Sequence, residues 1–208
     1  YEQAEEDYLY VLKNIKDENI QSQAILGMQK TVSFTNSFSR LNLLISEYKN
    51  RFPENDNILK IQFDNIRNLY FNQKYEDLVL YFKDITAKDQ VIYNEYETNY
   101  YLAESLFKLN DNNSAKEAYF VLADSINSKY YTRSVNRLAQ LYFKENNYEE
   151  SLKYYKDLEL ISKNNREKID SYVGSLTNYY FLKKFDSVQY YSQQINNFDK
   201  ISFNNRNK

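Results

Sequence analysis

The chain has no cysteine, no histidine and no tryptophan, and only one proline and two glycines. Without Cys or His there is no disulfide framework, thiolate nucleophile, Cys/His zinc site or histidine general base. So few breakers would poorly serve an all-β protein, whose tight turns draw repeatedly on Gly and Pro. Continuous helices joined by short links fit better. Long apolar runs are also missing: no stretch approaches the roughly 18 residues that a membrane-spanning helix needs. Neither sign of charge dominates, with 27 Lys and Arg against 29 Asp and Glu and a formal charge of −2. A surface built to neutralise phosphates would be basic, so nucleic acid is not the expected partner.

What the chain does have is tyrosine and phenylalanine, 23 and 13 of them, placed with a period. Small or aliphatic residues at Ala4, Leu41, Leu78, Ala115, Ser151 and Val188 stand 37, 37, 37, 36 and 37 apart. Three residues before them come Tyr1, Phe38, Tyr75, Asn112, Tyr148 and Phe185. Four after come Tyr8, Ile45, Phe82, Tyr119, Tyr155 and Ser192, and seven after come Val11, Tyr48, Ile85, Leu122, Leu158 and Ile195. Steps of three, four and three trace one face of an α-helix, and six such faces in register define a repeat. Each is preceded by a second amphipathic segment. The pattern predicts helices over 1–15, 21–35, 38–51, 57–72, 75–87, 93–109, 112–127, 130–145, 148–162, 166–183 and 185–197.

Asn36, Asn110 and Asn146 fall where the first helix of a pair must stop and turn. Asn is the non-glycine residue that best tolerates the left-handed backbone such stops require. Pro53 is placed to end the helix before it. In the second and fifth repeats the frame can be set one residue either way.

These residues resemble the tetratricopeptide repeat (TPR). Leu102-Ala103, Leu106, Ala115 and Tyr119 follow its pattern, as do Leu138-Ala139, Tyr142, Tyr148, Ser151 and Tyr155. Met28, Val32, Phe38, Leu41 and Pro53 fit the same frame. The departures are a period of 36–37 rather than 34, larger residues at Leu41 and Leu78, and Pro at one repeat end only. The resemblance implies an all-α fold, a right-handed α-α superhelix of about eleven antiparallel helices. It spans 1–208 as one solenoid segment: a half repeat at 1–15, repeats at about 21–53, 57–90, 93–127, 130–163 and 166–198, and the opening of another at 199–208. On this reading the chain is a piece of a longer array.

In such arrays the first helix of each pair (helix A) lines a concave groove and the second (helix B) lies outside, so Tyr155, Tyr119 and Phe82 on B helices are expected in the core. Groove candidates are the helix-A residues that the packing face leaves over: Arg67, Tyr70, Tyr100, Glu104, Phe107, Arg133, Asn136, Arg137, Gln140, Phe143, Thr177 and Tyr180. Tyr, Phe and Arg are common in binding hot spots. Arg133 and Arg137, one turn apart, partly resemble the basic side of a carboxylate clamp, but Phe63, Arg67 and Tyr101 stand where its other members would. Runs such as Glu5-Glu6-Asp7 and Glu149-Glu150 point in different directions on a helix and do not converge on a catalytic or metal site. No cofactor, metal or catalysis is expected.

The expected function is a non-enzymatic scaffold for a protein or peptide. The Tyr/Asn/Lys-rich style and long repeats resemble bacterial cell-envelope TPR proteins, which implies a periplasmic or outer-membrane-associated setting. The alternative is a cytoplasmic peptide-sensing regulator whose array controls an attached DNA-binding domain.

Overall fold

The computed structural model describes residues 1–86, 95–126 and 128–206, with residue 86 and residues 199–206 as backbone only. Among these residues there are eleven α-helices and no strand: α1 (Glu2–Asn14), α2 (Glu18–Thr35), α3 (Phe38–Arg51), α4 (Ile58–Phe71), α5 (Tyr75–Thr86), α6 (Glu95–Lys108), α7 (Asn112–Ala123), α8 (Tyr131–Lys144), α9 (Tyr148–Ile161), α10 (Asn165–Phe181) and α11 (Phe185–Arg206). The even-numbered helices are the A helices and the odd-numbered ones the B helices. The chain forms two compact units, Tyr1–Ala115 and Lys116–Lys208. Parts of the links expected on either side of residue 90, and position 127, lie outside the described residues.

Each A helix ends on a residue with left-handed backbone: Asn36, Gln73, Asn110, Asn146 and Lys183, with φ between 54° and 60°. Their spacing of 37, 37, 36 and 37 is the repeat itself. After the last four of these, the next N–H reaches back five residues. Lys74, Asp111, Asn147 and Lys184 donate to the carbonyls of Leu69, Leu106, Tyr142 and Tyr179 at 2.9–3.0 Å. That bond satisfies a carbonyl which the helix end would otherwise leave open. The B helix then starts at once, capped in α9 by Asn147, whose Oδ1 accepts from the Glu150 N–H.

The core of the first unit is aliphatic, with Ile25, Met28, Leu41, Ile45, Ile61, Ile66, Leu69 and Leu78 almost wholly buried. A polar chain crosses it: Asn65 Nδ2 donates to Asn42 Oδ1 at 2.7 Å. On the other side the Tyr81 hydroxyl lies beside Asn65, and burial pushes its pKa up. In the second unit Val135, Ala139, Tyr155 and Leu158 form a cluster against which Tyr131, Tyr154 and Ile161 pack. Ser151 fits its small position because its Oγ donates to the Ala139 carbonyl at 2.8 Å, which ties α9 to α8.

The two glycines make no turns; both sit inside A helices at φ values any residue adopts. A Cβ on Gly27 would lie 2.4 Å from the Tyr8 ring, and one on Gly174 would lie 2.3 Å from the Tyr155 ring. Tyr8 and Tyr155 hold the same place in their B helices, so each glycine is the seat of a tyrosine from the helix before it. The aromatic residues at the start of those B helices, Tyr1 just before α1 and Tyr148 first in α9, are equivalent too. Tyr1 stacks on Phe34 at 3.9 Å between ring centroids and Tyr148 on Phe181 at 4.8 Å.

One sequence expectation changes. Helix α11 runs unbroken to Arg206, so the backbone does not break near 198 to open a new A helix. Within the acidic run of α1, Glu5 is buried and accepts from Ser37 Oγ at 2.8 Å and Arg40 at 3.3 Å. Burial alone would raise its pKa, but the bonds from Thr35, Ser37 and Arg40 together outweigh that and hold it below the usual carboxylate value.

Two predictions follow from the turns and the seats. Gly174→Ala should lower stability to urea by about 1–3 kcal/mol, because the Tyr155 ring is held by the α8–α9 cluster and cannot retreat. Alanine's own helical advantage of about 1 kcal/mol does not offset this. Gly27→Ala should be tolerated, since it meets only the outer end of half-exposed Tyr8. Gln73→Gly and Lys183→Gly should each add about 0.5–1 kcal/mol by relieving left-handed strain, and a loss at both positions would contradict the turn assignment.

Candidate functional site

The left-handed residues fix a register for every A helix. Counting back thirteen, ten, six and three residues from them gives one stripe per helix. In α2 it reads Gln23, Leu26, Lys30 and Ser33; in α4, Lys60, Phe63, Arg67 and Tyr70. In α6 it reads Glu97, Tyr100, Glu104 and Phe107; in α8, Arg133, Asn136, Gln140 and Phe143. In α10 it reads Asp170, Val173, Thr177 and Tyr180. Eleven of the twelve sequence candidates lie on this stripe, and Arg137 is next to it.

In each unit two neighbouring stripes line a cleft. In the second unit a cleft of about 330 Å³ between α8 and α10 is lined by Asn136, Gln140, Phe143, Asp170, Val173 and Thr177, with Tyr155 and Gly174 below. Its walls are pre-ordered. Arg137 donates to Gln140 Oε1 at 2.9 Å, and Gln140 Nε2 donates to Asn136 Oδ1 at 3.2 Å. Thr177 Oγ1 bonds the Val173 carbonyl at 2.8 Å. Phe143 meets Tyr148 and Phe181 edge-on at 5.5 and 5.6 Å. The cleft therefore offers amides, an aromatic edge and a single carboxylate.

In the first unit a cleft of about 450 Å³ between α2 and α4 is lined by Gln23, Leu26, Lys30, Ser33, Lys60, Asp64, Arg67 and Phe71. Two amide bonds tie its floor, the first buried and the second partly so. Gln29 Nε2 donates to the Ile61 carbonyl at 2.7 Å, and Asn68 Nδ2 donates to the Gln29 carbonyl at 3.0 Å. Arg67 lies over the Phe63 ring and 3.9 Å from Glu97.

The remaining candidates are distributed differently. Tyr100 and Glu104 are only 6% and 4% exposed, so they belong to the packing of α6 and offer no open face. Phe107 is half-buried. Tyr70 packs against Tyr101 at 4.5 Å between ring centroids. Tyr180 stays 58% exposed. Of the two arginines, Arg137 donates along α8 to Gln140, and Arg133 lines a separate cleft with Lys129, Lys163 and Glu167. Lys30, Lys60 and Asp170 line the two clefts, and residue-by-residue reading passed them over. Their signal was the distance to the turn residue rather than their own chemistry.

Tyr155 is both core and cleft floor. Burial, aided by the charge of Asp170, pushes its pKa up to about 12. Among the described residues no helix is long and apolar enough to cross a membrane, and no three carboxylates are grouped to hold a metal ion.

Helix pairs with left-handed turns, stacked at a period of 36–37 residues, define a TPR-like helical-repeat protein. The solved structures agree. Nearly identical TPR-like repeats of a kinesin light chain from Podosopora anserina superpose with a TM-score of 0.58 at 11% identity, covering 90% of this chain and 99% of that one. BtubC (BKLC) from P. vanneervenii gives 0.58 at 12% identity, covering 97% and 89%. The apo form of RapI gives 0.55 at 13% identity, covering 93% of this chain and 58% of that one. No family model matches the sequence, and no curated protein is detectably similar. At these identities the likeness is one of fold.

The Tyr155 phenol gives a pH test. A pKa raised above the unfolded value near 10 means stability that is intact below pH 10 and lost as pH rises towards 12. The stability difference between the native chain and Tyr155→Phe should be constant below pH 10 and shift against the native chain above it. A flat difference through pH 12 would show that the phenol is not shielded.

Proposed function

We propose that this protein is a non-enzymatic scaffold that holds a protein or peptide partner against its A helices, as part of a bacterial cell-envelope assembly in the periplasm or at the outer membrane. The observation that carries the binding reading is that the same helical stripe lines a cleft in each unit, between α2 and α4 and between α8 and α10. A fold that spends its B helices on packing leaves the A-helix stripes as its differentiated surface. Amides fixed by neighbours and aromatic edges are the groups that hold a peptide backbone and its side chains with little ordering cost. The envelope setting is supported by the Tyr/Asn/Lys-rich composition and long repeats, an argument of style rather than of a site.

The test is affinity capture from the source organism with three forms of the protein. One is native, one carries Asn136→Ala, Gln140→Ala and Thr177→Ala, and one carries Lys153→Ala and Leu160→Ala on the outer face of α9. Capture of the main partner should fall roughly tenfold with the cleft variant, as expected when hot-spot contacts are removed, and should be unchanged with the outer one. A partner lost only with the outer variant would refute the reading.

A further inference from the structure

The two clefts differ in charge. Among the described residues, the α2–α4 cleft carries Lys30, Lys60 and Arg67 against one acid, Asp64, whereas Asp170 is the sole charged residue lining the α8–α10 cleft. Lys30 and Lys60 are exposed and have no ion pair among the described residues. The ion pair of Arg67 with Glu97 is long, at 3.9 Å, and its guanidinium side is 46% exposed. Such a pair is worth little and yields to a better carboxylate. Three cations are thus gathered in a chain of net negative charge, over a floor that two side-chain amide bonds keep in place.

Resting on the scaffold reading, we infer that the α2–α4 cleft is an acceptor site for an extended acidic peptide, whose Asp or Glu side chains sit between Lys30, Lys60 and Arg67. Lys60 and Arg67 are two turns apart on α4, about 10 Å along its axis. Side chains on one face of an extended peptide recur about every 7 Å, so acids two to four residues apart reach both cations through their flexible stems. Leu26 and Phe71, the latter 63% exposed, supply apolar walls for the methylenes between them. Asp64 stands between Lys60 and Arg67 and divides the positive field, which suits separate carboxylates better than a continuous run of phosphates.

The probe is a short fluorescein-labelled peptide alternating Glu with Ser, blocked at both ends so that no terminal carboxylate contributes. Binding to the full chain is followed by fluorescence anisotropy. The peptide should bind at low salt, weaken as salt rises, and fail to bind when Gln replaces Glu. Lys30→Glu with Lys60→Glu should reduce affinity roughly tenfold or more, two exposed ion pairs being replaced by repulsion, and should gain affinity for a matching labelled peptide that alternates Lys with Ser. Both substitutions are on the surface, and an unchanged thermal melt confirms that the fold is kept.

Binding of the acidic peptide that ignores the double substitution, or no binding at all, overturns the inference. So does an oligouridine that binds the same lysines more tightly than the peptide does. If the peptide fails while the α8–α10 variant still loses its captured partner, this inference falls and the scaffold stands. If the peptide depends on the two lysines while capture ignores both clefts, the scaffold falls and the acceptor site stands.

Discussion

Everything in this structure depends on a single backbone event repeated five times, the left-handed residue that ends each A helix. It costs about 1–2 kcal/mol at a non-glycine residue, offset at the last four of the five by the bond that the following N–H makes to a carbonyl five residues back. Because the B helix begins immediately afterwards, the turn fixes which A-helix residues meet their own B helix and which do not. Packing side and cleft side are therefore both set by distance from one residue.

That constraint explains what the sequence made legible. Asn36, Asn110 and Asn146 announce their turns, and the repeats they close carry Met28, Leu102 and Leu138 at the same buried or partly buried helix-A position. The second and fifth repeats could be framed either way for two coincident reasons. Their turn residues are Gln73 and Lys183, which nothing in local chemistry marks as left-handed. At the position of those apolar residues they carry Asn65 and Ser175, both fully buried. Asn65 is accommodated by Asn42 and Tyr81, a tertiary arrangement with no local signature. Tyr100 and Glu104 have the right register for a cleft, and only their burial in the folded chain removes them from the surface. The two glycines carry no local sign of their role: Gly27 and Gly174 receive tyrosine rings from the preceding helix, a contact made only in the folded chain.

The division of labour between helices follows. B helices carry Leu41, Ile45, Leu78, Tyr155 and Leu158 inward, and outward they show solvated charge, such as the Glu150–Lys153 pair at 2.5 Å, interspersed with exposed apolar side chains such as Leu43, Leu80 and Leu160. A helices keep part of their circumference uncommitted, and there the repeats diverge: cations and amides in α2 and α4, amides, an aromatic edge and one acid in α8 and α10. A conserved scaffold geometry with a varied stripe is how a repeat array can present different chemistry at successive positions without changing its core.

The absence of cysteine offers the most direct test, since any thiol introduced is unique. Single substitutions Gln140→Cys and Thr177→Cys place a thiol in the α8–α10 cleft, and Lys153→Cys places one on the outer face of α9. The rate of labelling by a maleimide is measured with and without the captured partner. The A-helix account predicts fast labelling at all three sites in the free protein, and strong protection by the partner at 140 and 177 but not at 153. Protection at 153 with unchanged rates at 140 and 177 would contradict it.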